Sequence, residues 1–147
     1  MTRTTIAIGS DHAGFDLKQV LAVYLAELGD DVLDLGTDGP ASVDYPDFGA
    51  AVAAAVADGR ARFGVVVCGT GIGISIAANR NPKVRAAVCH DHVTAEMSRR
   101  HNDANILALG ARIIGVEVAK DCLRTFLTTP FDGGRHVGRV AKLSAMA

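Results

Sequence analysis

Phe63-Gly64-Val65-Val66-Val67-Cys68 runs directly into Gly69-Thr70-Gly71-Ile72-Gly73-Ile74-Ser75. An apolar run without polar alternation reads as a strand buried on both faces, the habit of a central parallel strand. The glycines at 69, 71 and 73 let the backbone turn sharply and start a helix that extends through Asn79. Buried strand, glycine-rich turn and helix make up half of a βαβ unit, and the rest of the chain repeats that alternation.

Upstream, Thr4-Thr5-Ile6-Ala7-Ile8 reads as a first strand closed by Gly9. Leu17, Val20, Leu21, Tyr24, Leu25 and Leu28 then recur at helical spacing up to a C-terminal cap at Gly29. Asp31 to Leu35 reads as a second strand, and 36–44 as a surface loop; Pro46-Asp47 opens an Ala-rich helix that ends near Asp58-Gly59. Downstream, Val84 to Cys89 is a fourth strand, Val93 to Arg100 a helix, and Ile106 to Leu109 a fifth strand. Val116, Ala119, Leu123, Phe126 and Leu127 line a further helix, ended by Thr128-Thr129-Pro130. A glycine-rich basic segment, 133–139, leads into a last short helix. The expected fold is α/β: a three-layer α/β/α sandwich of Rossmann-like type, with a five-stranded parallel sheet in a single domain over 1–147. Ligands of such sheets bind beyond the carboxyl ends of the strands, where connections diverge to opposite faces.

Composition narrows the function classes. The chain has 147 residues, 49% of them hydrophobic, with 15 basic against 16 acidic side chains for a net charge of −1. Lys and Arg are scattered except near the C-terminus, which argues against a nucleic-acid partner. No apolar run approaches the ~20 residues of a membrane span, and no signal-peptide pattern precedes the first strand. Cys68, Cys89 and Cys122 are odd in number and lack CxxC spacing, so they form no disulfide framework and fit a reducing cytoplasm.

Chemistry-bearing residues collect after strands. Gly9-Ser10-Asp11-His12-Ala13-Gly14 follows the first strand and lacks GxGxxG spacing; a plain reading makes Asp11 a helix cap and His12 a turn residue. The 69–73 loop is a nest of N–H groups suited to anionic oxygen, without the Lys-Ser/Thr pair of a P-loop. Cys68 stands beside that nest, where a thiolate is favoured as base or nucleophile; the plain alternative is a small buried hydrophobe. His90-Asp91-His92 lacks a third zinc ligand nearby, so no metal is expected. His101-Asn102 lies between a helix and the fifth strand, where an imidazole can move protons near neutral pH. Arg112, Arg135 and Arg139 are the basic group, the last two four apart as a two-guanidinium phosphate grip requires if the segment is helical. Two anion-binding features, one beside a potential thiolate, point to a phosphorylated substrate that forms an enediolate. Cys68 would be the base, the loop the oxyanion donor and His101 the group handling hydroxyl protons.

These residues, with Asp44-Tyr45-Pro46, the run Cys68 to Asn79, Arg99-x-His101-Asn102-Asp103-x-Asn105 and Gly133-Gly134-Arg135-His136-x-x-Arg139, closely resemble the ribose-5-phosphate isomerase B family, in order over roughly residues 5 to 140. The resemblance implies interconversion of D-ribose 5-phosphate and D-ribulose 5-phosphate through a cis-enediolate, without metal or cofactor. It implies that Cys68 carries the proton between C1 and C2, and that Thr70 with the amides of Gly69, Gly71, Ile72 and Gly73 stabilises the enediolate. His101, with Asp11, would open the furanose ring. Arg112, Arg135 and Arg139 would hold the phosphate with help from His12, and Tyr45 and Asn102 would contact the sugar. The family forms homodimers, in some members tetramers, and offers His101 and Asn102 to the neighbouring subunit. Some relatives replace the strand-end cysteine by a glutamate along the loop; here Cys68 is present and that stretch reads Ile74-Ser75. Isomerases of four- and six-carbon sugar phosphates share the pattern, and a noncatalytic phosphosugar-binding module is the alternative from another class.

Overall fold

A computed structural model describes residues 3–146. Five strands, β1 (Thr5–Ser10), β2 (Asp31–Asp34), β3 (Phe63–Cys68), β4 (Ala86–Val88) and β5 (Ile106–Gly110), form one all-parallel sheet in the order β2-β1-β3-β5-β4. The helices are α1 (Phe15–Glu27), α2 (Tyr45–Ala57), α3 (Ile72–Ala78), α4 (His92–Arg100), α5 (Val116–Thr128) and α6 (His136–Ala145).

The period-2 alternation of the strands divides the core into two layers. Phe63, Val65 and Val67 face α1, α4 and α5 together with Ile6, Ile8, Leu107 and Leu109, against Leu21, Leu25, Leu123 and Phe126. Val66 and Cys68, with Ala7, Ile106 and Ala108, face α2 and α3, against Val52, Ala53, Ile74 and Ala78. Each fully buried Leu, Ile, Val or Phe contributes ~1.5–3 kcal/mol. The α/β/α sandwich expected from the sequence is the one observed. No helix among the described residues is long and apolar enough to cross a membrane.

Three local expectations differ from the structure. β1 does not close at Gly9 but continues to Ser10, which pairs with Val67 and whose amide donates to the Gly36 carbonyl at 2.7 Å. Gly9 is there because α2 lies close: a Cβ at that position would stand 2.9 Å from Val52 Cγ2. β4 is shorter than Val84–Cys89, because the Val84 and Arg85 amides are taken by the Asn81 carbonyl and Asn105 Oδ1 at 3.0 and 2.8 Å, outside the ladder. Asp11 does not cap α1; its Oδ1 accepts from the Gly14 amide at 3.0 Å, closing the turn that precedes the helix. Gly29 does follow α1 in the left-handed conformation, with φ of 92°.

The connection from β1 leaves by α1 on one face, and that from β3 leaves by α3 on the other. The crevice where they part lies at the carboxyl ends of β1 and β3, the expected ligand position of such a sheet.

Candidate active site

At the end of β3, Cys68 is 5% exposed, and its Sγ accepts a hydrogen bond from the Gly71 amide at 3.1 Å. The loop is held from the β5 side: the Ala111 amide donates to the Cys68 carbonyl and the Arg112 amide to the Gly69 carbonyl, both at 2.9 Å. Gly71 has φ of 78°, and a Cβ there would lie 2.9 Å from the Leu109 carbonyl carbon, so a glycine is required on two counts. The Ile72 amide donates to Thr70 Oγ1 at 3.2 Å. Two of the loop N–H groups read as oxyanion donors are thus engaged within the loop, by Cys68 and Thr70. Among the described residues the amides of Gly69 and Thr70 carry no internal hydrogen bond.

Other residues converge on the same end of the sheet. The Asp11 amide donates to the Val67 carbonyl at 3.3 Å, and a Cβ on Gly14 would lie 2.5 Å from that carbonyl oxygen, so the 11–14 turn sits on the end of β3. His12 Nδ1 accepts from the Val43 amide at 3.2 Å. That bond leaves the ring proton on Nε2, which makes His12 a one-proton donor toward a ligand. Tyr45 opens α2 with its ring over Gly73, where a Cβ would stand 2.6 Å from Cε1. Arg112 lies over Gly69, its Nη1 3.3 Å from where a Cβ would be.

The segment leading from β2 toward Val43 is anchored where it leaves the strand. Lys18, 1% exposed, places Nζ 2.9 and 2.8 Å from the two carboxylate oxygens of Asp34, and Asp34 Oδ1 also accepts from the Gly36 amide at 3.0 Å. Loss of Asp34 would leave the buried Lys18 ammonium with Gln19 Oε1, at 3.0 Å, as its remaining side-chain acceptor.

The remaining site residues lie elsewhere. α4 and α5 each start at the carboxyl ends of the strands and run back, so His101, Asn102, Arg135 and Arg139 gather at the amino ends. The Asp132 amide donates to the Arg100 carbonyl at 3.0 Å, tying the approach to α6 to the end of α4. Asn102 borders a cavity of about 460 Å³ with Asn79, Arg85, Ala104 and Leu143. β5 alone separates the two ends by roughly 13 Å. Within one chain, Asp11, His12, Tyr45, the 68–73 segment and Arg112 form one set, and His101, Asn102, Arg135 and Arg139 another.

Within the second set, the turn that carries His101 and Asn102 is held by the neighbouring Arg99. Arg99, 4% exposed, donates to Asp103 Oδ1 at 2.8 Å, the Ala104 carbonyl at 2.6 Å and the Thr129 carbonyl at 3.2 Å, and lies over the Phe63 and Phe126 rings. Asp103 has φ of 46°, a left-handed turn directly after His101 and Asn102. The His101 ring stacks on His136, centroids 4.3 Å apart and planes inclined by 13°. Sequence reading did not assign His136 a role; its signal was a histidine between two arginines at the start of a helix.

His92 does not stand free for zinc. Its Nδ1 lies 3.2 Å from Asp121 Oδ2 and its Nε2 3.3 Å from Glu96 Oε2, bridging α4 to α5. His101, Asp132 and His136 do bring three donor atoms within 4.8 Å of one another. Arg100 Nε holds both Asp132 carboxylate oxygens at 3.2 Å, and Arg135 and Arg139 add positive charge, a field that suits an anion better than a metal ion. Burial, then the His101, Arg135 and Arg139 charges, push His136 below its ordinary value. Cys89 and Cys122 are raised, Cys122 to about 12, chiefly by burial.

A model of the ribose/galactose isomerase family matches residues 6–143. The chain is similar to ribose-5-phosphate isomerase B of Escherichia coli (strain K12), with 45% identity over 141 residues, 96% of this chain and 95% of that protein. It is also similar to a D-erythrulose-4-phosphate isomerase of Pectobacterium atrosepticum, 42% identical over 95% of this chain and 92% of the relative. Its fold superposes on a ribose-5-phosphate isomerase B structure from Clostridium thermocellum with a TM-score of 0.96 and 54% identity, covering 97% and 96% of the two chains.

Proposed function

From the premise that this chain belongs to the ribose/galactose isomerase family and is an isomerase, we propose that it interconverts D-ribose 5-phosphate and D-ribulose 5-phosphate in sites built from two copies of the chain. The observation that carries the reading is Cys68 Sγ at the end of β3, 3.1 Å from the Gly71 amide, in the crevice between the β1 and β3 connections.

The furanose opens first: the C1–O4 bond breaks, O4 gains a proton and the anomeric hydroxyl loses one. Cys68 then takes the C2 proton of the open aldose. The C2–H electrons form the C1=C2 bond, and negative charge moves to O1, where the Gly69 and Thr70 amides are available. Transfer of the O2 proton to O1 and return of the proton from Cys68 to C1, as the C=C electrons form the C1–H bond and C2=O2 closes, give the ketose. Tyr45 and Asp11 border this half-site, and Arg112 with His12 Nε2–H offers donors to anionic oxygen.

Ring opening and most of the phosphate grip fall to the other set. His101, Asn102, Arg135 and Arg139 of one copy would meet Cys68 and its neighbours of the second, because the sheet holds the two sets apart within a chain. This assigns the tail arginines to the partner along with His101 and Asn102. The enzyme would work in the cytoplasm, where thiols stay reduced.

The test is isomerisation of ribose 5-phosphate in D2O, followed by NMR. Deuterium entering C1 or C2 with ketose formation is expected, and binding without exchange would leave only a phosphosugar-binding module. D-Erythrose 4-phosphate belongs in the same assay, since one methylene discriminates by only ~1–3 kcal/mol.

A further inference from the structure

The start of α6 is attached to the end of α4 at few points. His136 is the one buried residue of α6, at 8% exposure. Its ring touches His101, face to face at 4.3 Å. The other ties join Arg100 to Asp132: the Asp132 amide donates to the Arg100 carbonyl at 3.0 Å, and their side chains, 40% and 35% exposed, form an ion pair. Arg135 immediately precedes His136, and Arg139 follows it by one helical turn. The stack therefore fixes the His101 ring plane.

We propose that His136 is a positioning residue for ring opening: its ring holds the His101 imidazole at a set place relative to Arg135 and Arg139, so the proton is delivered to a sugar already anchored by its phosphate. This rests on the isomerase reading above. In that step the C1–O4 bond breaks, His101 gives a proton to O4 and regains one from water, and the anomeric proton passes to water. His136 exchanges no proton. Lying between His101, Arg135 and Arg139, with the nearby Asp132 carboxylate held by Arg100, its ring serves as a flat support for the His101 ring.

The experiment compares a cyclic with an acyclic aldose. D-Ribose 5-phosphate closes a furanose through O4; D-erythrose 4-phosphate cannot, because its O4 carries the phosphate. H136A is expected to lower kcat on ribose 5-phosphate by about 10- to 100-fold, the scale of a misplaced catalytic group, while exchange of erythrose 4-phosphate in D2O changes less than about twofold. H136F keeps a flat ring without nitrogens and is expected to restore most of the cyclic activity. H136N gives the same comparison should H136A not fold. Equal losses on both sugars, an unchanged kcat on ribose 5-phosphate, or failure of H136F to exceed H136A would overturn the proposal. A wild-type protein that isomerises neither sugar would instead overturn the isomerase reading on which it rests.

Discussion

Cys68 and His101 sit at opposite ends of the same sheet: Cys68 ends β3 in register with Gly110, whereas His101 precedes the first residue of β5, Ile106. A parallel sheet puts every strand-to-helix turn at one end and every helix-to-strand turn at the other. A base from the first group and a ring-opening imidazole from the second act on one sugar only if a second chain supplies one of them.

Cys68→Ala should abolish isomerisation while leaving phosphosugar binding within about twofold, because the loop and Arg112 remain. Exchange in D2O and a binding titration on the same sample check this. Turnover retained above a few per cent would remove Cys68 as the base.

Arg139→Ala should chiefly raise KM for ribose 5-phosphate. A phosphate grip acts on ground and transition states alike, and a charge-assisted hydrogen bond of ~1.5–3 kcal/mol corresponds to about 10- to 100-fold. An unchanged KM would contradict the assignment.

The cysteines should separate by reactivity. Cys89 and Cys122 are fully buried and their thiols are pushed up, Cys122 to about 12. Iodoacetamide at pH 8 should label Cys68 first in the folded protein, and all three cysteines after unfolding. Mass mapping that finds Cys122 labelled first would contradict the packing of α5.

Acid stability should report on His136. The folded chain holds this group below its ordinary value of 6.5, so the unfolded chain binds the proton first as pH falls. Its contribution is present above 6.5 and lost as pH falls through the folded value. The urea midpoint of H136F should therefore fall less than that of the wild type between neutral pH and pH 5. Parallel declines would mean that His136 titrates alike in both states.

The sheet was legible because β3 and β5 are apolar on both faces, which only a central parallel strand explains. The ends of β1 and β4 were not legible from residue type. Gly9 signals a break by propensity, but α2 packs against it and requires it, and the start of β4 is decided by the Asn81 carbonyl in a local turn and by the Asn105 side chain from the segment before β5. The first half of the site could be read because glycines, Cys68 and Thr70 are adjacent in sequence. The second half depends on helix direction: only once α4 and α5 are seen running back do Arg135 and Arg139 join His101. The His101–His136 stack joins two distant segments, and no local pattern announces it.

Mixing two inactive variants tests the shared site most directly. Cys68→Ala keeps His101, and His101→Asn keeps Cys68. Unfolded together and refolded at equal ratio, half of random dimers would hold one intact site, so about a quarter of wild-type activity on ribose 5-phosphate should return. Activity no greater than the mean of the two variants refolded separately would contradict a site built from two chains.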